Sequence, residues 1–216
     1  MVYNFSEDID YHKQIKNKLI PLSSCNTTSL FMALKQAGID SPFPEDENAV
    51  DYFTSFFRQP EAYKKTKELA PWAFDKRTGE VLYHPNEVHA VLEWGINLLL
   101  KKEVDRFSTK YPLQTIINHL LSGGGVVLTG IFHWKGKPIG HMTSMAGFIT
   151  DETDIKTTDH ITHYIIDDPL GNPDTDYTDS NGNNFIMTKE TFISTFNPGN
   201  NEDIKWAHLV KDWSKP

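Results

Sequence analysis

Cysteine is nearly absent from this chain: Cys25 is the only one in 216 residues. A single thiol excludes an intrachain disulfide framework and a cysteine-based zinc site. Clustered positive charge is missing too. Twenty-nine Asp and Glu outnumber 21 Lys and Arg, the formal net charge is -8, and the basic residues are scattered. Binding to phosphate backbones needs grouped Lys and Arg, so no nucleic-acid partner is expected. Long apolar runs are also lacking. None approaches the ~20 residues of a membrane-spanning helix, so no membrane partner is expected. The start, Met1 to Asp10, has neither the basic end nor the apolar core of a signal peptide. The chain is therefore expected to be made in the cytoplasm and to reach any outside target by release. No repeat or linker divides it, which predicts one domain over 1–216 and a monomer.

What is present centres on Ser24-Cys25-Asn26-Thr27-Thr28-Ser29-Leu30-Phe31-Met32-Ala33-Leu34. Pro21 blocks helix before it, and Ser23 and Ser24 are good N-cap residues. A helix is predicted from about Cys25 to Ala37, stopping at Gly38. Leu30, Ala33, Leu34 and Ala37 form its buried stripe. Cys25 then lies in the first turn, where unpaired N–H groups and the positive helix end favour a thiolate. Residues 47–70 read as two helices packed through aromatics. Pro85 opens another, broken at Gly95, and 112–121 is a further helix. The pattern then switches to strands at 126–132, 141–149, 163–167 and 185–187, with a last helix near 189–196. Helices first and an antiparallel sheet after them predict an α+β fold.

Antiparallel strands can set His141 and Asp168 side by side at one sheet end. If the Cys25 helix crosses that sheet, thiol, imidazole and carboxylate line up for nucleophilic attack on a carbonyl carbon. Each residue also has a plainer reading. Cys25 can be a small buried apolar residue, His141 a structural strand histidine, and Asp168 a turn residue before proline. The oxygen-rich run Asp174, Asp176, Asp179, Asn181 and Asn183 lacks the glycine and distal glutamate of a calcium loop. His84 and His89 are spaced poorly for one metal, and His160 and His163 have no carboxylate pattern beside them. No metal and no cofactor are expected. His133 and Trp134, on the turn before His141, either line a substrate groove or form an exposed turn.

The Cys25–Leu34 run resembles the nucleophile helix of papain-like cysteine peptidases of the bacteriocin leader-processing superfamily. It is most similar to the stand-alone branch found in phage endolysins and bacterial cell-wall hydrolases. Gly140-His141 leading to Met145-Ala146-Gly147-Phe148 resembles that group's histidine strand. Asp167-Asp168-Pro169-Leu170-Gly171-Asn172 resembles its Asp-Pro-aromatic-Gly turn, with Leu170 in the aromatic position. The motifs stand in the family's order. The resemblance implies a papain-like fold, with the nucleophile helix packed on a C-terminal antiparallel sheet, and a triad of Cys25, His141 and Asp168. It also implies a peptide or peptidoglycan substrate. Six positions before the cysteine, where the wider pattern has glutamine, this chain has Leu19. Gln14-Ile15-Lys16-Asn17 resembles the branch's upstream Gln-x-x-Asn run, so Gln14, then Asn17, are the candidate oxyanion donors beside the Cys25 N–H. Two other readings remain: a protein or leader-peptide processing peptidase, and an inactive papain-like binding module.

Overall fold

The computed structural model describes residues 1–8, 11–44, 48–153, 155–197 and 203–214. The chain begins with strand β1 (Val2–Asn4) and short turns of 3-10 helix at Gln14–Lys16 and Pro21–Ser23. Helix α1 (Cys25–Gln36) follows, then α2 (Ala49–Phe56), α3 (Pro60–Leu69) and α4 (His89–Leu100). After them come β2 (Asp105–Ser108), β3 (Tyr111–Pro112), α5 (Leu113–Leu121), β4 (Gly125–Trp134), β5 (Lys137–Thr150) and β6 (Ile161–Asp167). The chain closes with β7 (Phe185–Thr188), α6 (Lys189–Phe196), β8 (Asp203–Ile204) and β9 (Ala207–Val210). Residues 45–47, at the expected passage from loop to helix, lie outside the described residues. No helix among the described residues is long and apolar enough to cross a membrane.

The main sheet runs β2-β9-β4-β5-β6-β7, every pair antiparallel, with β1 added against β5. Its spine is β5, which pairs with β4 along its first half and with β6 along its second. Both faces are covered. Val127 and Met142 face a core made with α1 to α4, while Val126, Leu128 and Phe132 face a second core with α5 and α6. That explains why Val126-Val127-Leu128 is apolar without alternation.

Helix α1 lies at the centre, with Thr27 to Leu34 all buried. The expected stripe was therefore too narrow, because neighbours close on every side of the helix. Its polar side chains are bonded rather than exposed. Ser29 Oγ donates to the Met142 carbonyl of β5 (2.9 Å), and Thr27 and Thr54 hydroxyls meet at 2.8 Å. These bonds fix the helix, and so Cys25, against the middle of the sheet.

Two expectations are corrected. Gly95 does not break α4. A Cβ there would fall 2.3 Å from the Phe57 ring, so the glycine lets that ring pack against the helix. The histidine strand starts at Lys137, so His141 sits inside β5, opposite Gly130 of β4. Sequence periodicity also missed β1, β2 and β9, which are three to four residues long and draw their order from pairing.

Candidate active site

Helix α1 opens onto a cleft with Cys25 at its first position. Ser24 occupies the capping position, but its side chain does not cap. Ser24 Oγ instead accepts from Asn17 Nδ2 (2.8 Å) and donates to the Pro21 carbonyl (3.3 Å). The first-turn N–H groups are thereby left without a side-chain acceptor, at the positive end of a twelve-residue helix.

Across the cleft, β5 presents His141, and the residue that follows β6 is Asp168. His141 Nε2 and Asp168 Oδ1 are 2.7 Å apart, and both side chains are buried. With Nε2 held by the carboxylate, Nδ1 is the nitrogen left for the thiol. Burial alone, the largest influence, would lower the basicity of His141. The Asp168 charge, its hydrogen bond and the nearby Cys25 side chain overcome it, so the imidazole is held well above its ordinary range. Cys25, Asn26, Gly140 and His141 border the same cleft. The structure thus brings together the three residues expected from sequence.

Asp168 is held by its own surroundings. Oδ1 also accepts the Leu170 N–H (2.9 Å), and Tyr177 Oη donates to Oδ2 (3.4 Å). Burial, then the Asp168 charge, keep the Tyr177 phenol protonated to well above its usual range, so it remains a donor. Tyr11 Oη donates to the Asp168 carbonyl (2.9 Å) and accepts the Gly182 N–H (2.8 Å). The Asp/Asn-rich loop therefore folds over the carboxylate. A Cβ on Gly182 would stand 2.3 Å from the Asp168 carbonyl oxygen, which is why glycine occurs at that crossing. Within the loop Asp179 Oδ1 accepts the Asn181 N–H and Asn172 Oδ1 accepts the Asp174 N–H, while Asp176 Oδ1 accepts the Lys135 N–H from the turn between β4 and β5. Among the described residues, no group of three His, Cys, Asp or Glu is placed to share a metal ion.

Gln14 and Asn17 lie buried on the N-terminal side of Cys25. Gln14 Nε2 donates to the Pro21 carbonyl (3.0 Å), in the turn just before the nucleophile, and retains a second amide hydrogen. Asn17 Nδ2 directs both hydrogens to hydroxyls, Ser24 Oγ at 2.8 Å and Thr28 Oγ1 at 3.0 Å. His133 and Trp134 lie at the far end of β4, away from the residues that border Cys25.

Several site residues were not visible to sequence reasoning. Asn26 Nδ2 donates to the Asn86 carbonyl (2.7 Å), which fixes the amide's orientation and leaves Oδ1 facing Cys25 Sγ at 2.8 Å. Asp51 carries the loop before the nucleophile through the Lys18 and Leu19 N–H groups (3.0 and 2.8 Å). A second histidine array, His89 with His208 and Asp105, reaches the cleft beside Cys25 through His89. Only the five-residue spacing of His84 and His89 drew attention to it, and that signal was tied to the wrong partner.

No family model and no curated protein matches the chain. A solved structure from Bacillus anthracis, of a protein provisionally named a C39-like peptidase, is similar over 97% of this chain and 97% of its own. The TM-score is 0.53 and the sequence identity 14%. At that identity the likeness shows the fold: the chain has the mixed helix and antiparallel-sheet arrangement of a C39-like peptidase, with a central helix packed on the sheet.

Proposed function

We propose that this protein is a cysteine peptidase that cleaves amide bonds in the peptides of bacterial cell walls. One observation carries the reading: a buried His141–Asp168 pair at 2.7 Å faces the thiol at the start of α1. The fold shared with a C39-like peptidase supports peptide hydrolysis. The cell-wall target rests on the three motifs that resemble the endolysin branch.

In this reading Cys25 gives its proton to His141 and attacks the carbonyl carbon of the scissile amide. The oxyanion is met by the Cys25 N–H at the helix start. Gln14 is the second donor through its remaining amide hydrogen, while Asn17 holds Ser24 and so the first turn. His141 then protonates the leaving amine as the tetrahedral adduct collapses to a thioester. Water, deprotonated by the same imidazole, hydrolyses the thioester and restores the thiol. Asp168 keeps the ring oriented and balances its charge throughout. Purified sacculi test this directly. The wild type is expected to release new amino groups and Cys25→Ala to release none. Equal clearing by both would remove Cys25 from the mechanism, and digestion of soluble peptides but not sacculi would remove the wall as target.

A further inference from the structure

The cleft that holds Cys25 continues past the proposed triad into an arm that the peptidase chemistry does not use. Tyr83, Glu87, Thr129 and Gly140 border both parts. A Cβ on Gly140 would meet nothing within 4 Å, so the passage from the nucleophile into the arm is open. Trp72 and Trp206 wall the arm beyond it, around a cavity of ≈ 330 Å³, the size of a small-ligand site. Three large rings are left half in solvent here: Trp72 is 57% exposed, Tyr83 49% and Trp206 41%. Single exposed aromatics are ordinary, but three around one cavity next to a nucleophile mark a contact surface.

The rings are held in place. Pro71 opens the short 3-10 turn that carries Trp72, and the Ala73 carbonyl accepts the N–H groups of Leu82 and Tyr83 (2.9 and 3.1 Å). The Trp72 and Tyr83 rings then meet edge to face at 5.6 Å. Trp206 stands in the turn between β8 and β9 at φ 51°, a left-handed conformation that glycine or asparagine adopts far more easily than a bulky residue. Its carbonyl accepts the Thr129 N–H (3.1 Å), which ties the turn to β4 where the two parts of the cleft meet. Strain and exposure both work against stability, and what they yield is a flat apolar face on the arm. Polar groups are few along it: the Thr129 and Thr195 hydroxyls and the Glu87 carboxylate, whose Oε2 accepts the His84 N–H (2.7 Å). Among the described residues no Lys or Arg lines the arm, which disfavours an anionic occupant.

We propose that this arm binds a sugar ring of the glycan strand to which the wall peptide is attached. The proposal rests on the cell-wall reading and narrows it, to a peptide still joined to its glycan and cut near that end. A pyranose has an apolar C–H face that stacks on an aromatic ring and a rim of hydroxyls that both donate and accept. Aromatic walls with a few polar groups between them match that shape and chemistry. Wall peptides are built mainly of small and ionisable residues, so they have no large apolar side chain to fill such an arm. Trp72 and Trp206 are then specificity-determining residues, and Glu87 accepts from a sugar hydroxyl.

Binding to Cys25→Ala protein, which leaves the substrate intact, separates this proposal from the catalytic one. The probes are a disaccharide-peptide released from sacculi by a muramidase and the same stem peptide acetylated at its N-terminus, so that the two differ in the sugar alone. By calorimetry the disaccharide-peptide should bind roughly tenfold or more tighter, the share that a well-placed tryptophan contact provides. Trp206→Asn removes the indole and keeps a residue at ease in the left-handed turn, and Trp72→Ala removes an exposed ring. Each should erase the preference, with urea denaturation confirming that the variant is folded. Loss in one folded variant alone supports the proposal and assigns the sugar to that ring. Equal binding of the two probes by the parent protein overturns it, as does a preference that survives in both variants. So does a sugar-free peptide with a phenylalanine in place of one stem residue that binds as tightly as the disaccharide-peptide, since the arm then takes an apolar side chain. Sugar-dependent binding by a protein whose wild type releases no amino groups from sacculi would instead overturn the wall-peptidase reading and leave the sugar site standing.

Discussion

The cleft holds two carboxylate-backed histidines that the fold treats in opposite ways. His141 touches Asp168 directly, at 2.7 Å. His89 reaches Asp105 only through His208. Burial, the largest influence on both rings, works against a charge on each. At His141 the adjacent carboxylate and the thiol overcome it, and the ring is held protonated well above its ordinary range. At His89 nothing overcomes it, and with His208 adding to the effect the ring is pushed down to about 3. His141 meets its carboxylate directly, whereas the neighbour His89 meets is an imidazole that adds to the effect of burial. One ring is therefore poised to trade a proton with the thiol, and the other stays uncharged at neutral pH.

Swapping each carboxylate for its amide should separate the two roles. Asp168→Asn is expected to lower peptide hydrolysis by roughly 10²-fold or more, the usual share of positioned acid–base catalysis. Asp105→Asn, at a buried side chain that lies outside the triad, should leave kcat nearly unchanged. The readout is steady-state kinetics of both variants on one peptide. Similar losses of kcat in the two variants would show that the arrays are not divided as described.

A second contrast lies within the His89 array and concerns stability. His208→Leu leaves the Asp105 carboxylate buried without its partner, which should cost about 3–5 kcal/mol in urea denaturation. His89→Phe removes only the outer ring's hydrogen bond and keeps the stacking on Phe107, so about 1 kcal/mol is expected. If the outer substitution costs as much as the inner one, the buried charge is not what His208 is there to balance.

The two arrays also differ in how far the sequence revealed them. Cys25, His141 and Asp168 stand in local patterns: a helix start, a glycine before a strand, and an Asp-Pro turn. Such patterns survive in a linear reading, and the structure brings the three together. Asp105, His208 and His89 carry no local pattern. They lie on β2, β9 and the start of α4, and β2 and β9 are four-residue strands whose order comes from pairing with each other and with β4. Nothing in the neighbours of His208 marks it as buried between Asp105 and His89. Asn26 escaped attention for a related reason, since its role depends on the Asn86 carbonyl sixty residues away. The Asp/Asn-rich loop was legible as a loop, but its place over Asp168 depends on the close approach at Gly182.

The last expected effect is on the acid limb of stability, and it tests the charge difference between the histidines without any substrate. Folded His89 is pushed down to about 3 from an ordinary 6.5. Between those values the unfolded chain binds a proton that the folded chain does not. Stability from this group is thus present above pH 6.5 and lost as pH falls toward 3. His141 has the opposite sign: its raised value adds stability that is complete below 6.5 and is lost only as pH rises through that higher value. Urea denaturation of the wild type and His89→Phe across this range should give curves that are parallel above pH 6.5, then converge and cross below it. Carboxylates that titrate in the same window are common to both proteins and cancel in the difference. Curves that stay parallel down to pH 4 would mean that His89 takes up its proton in the folded state.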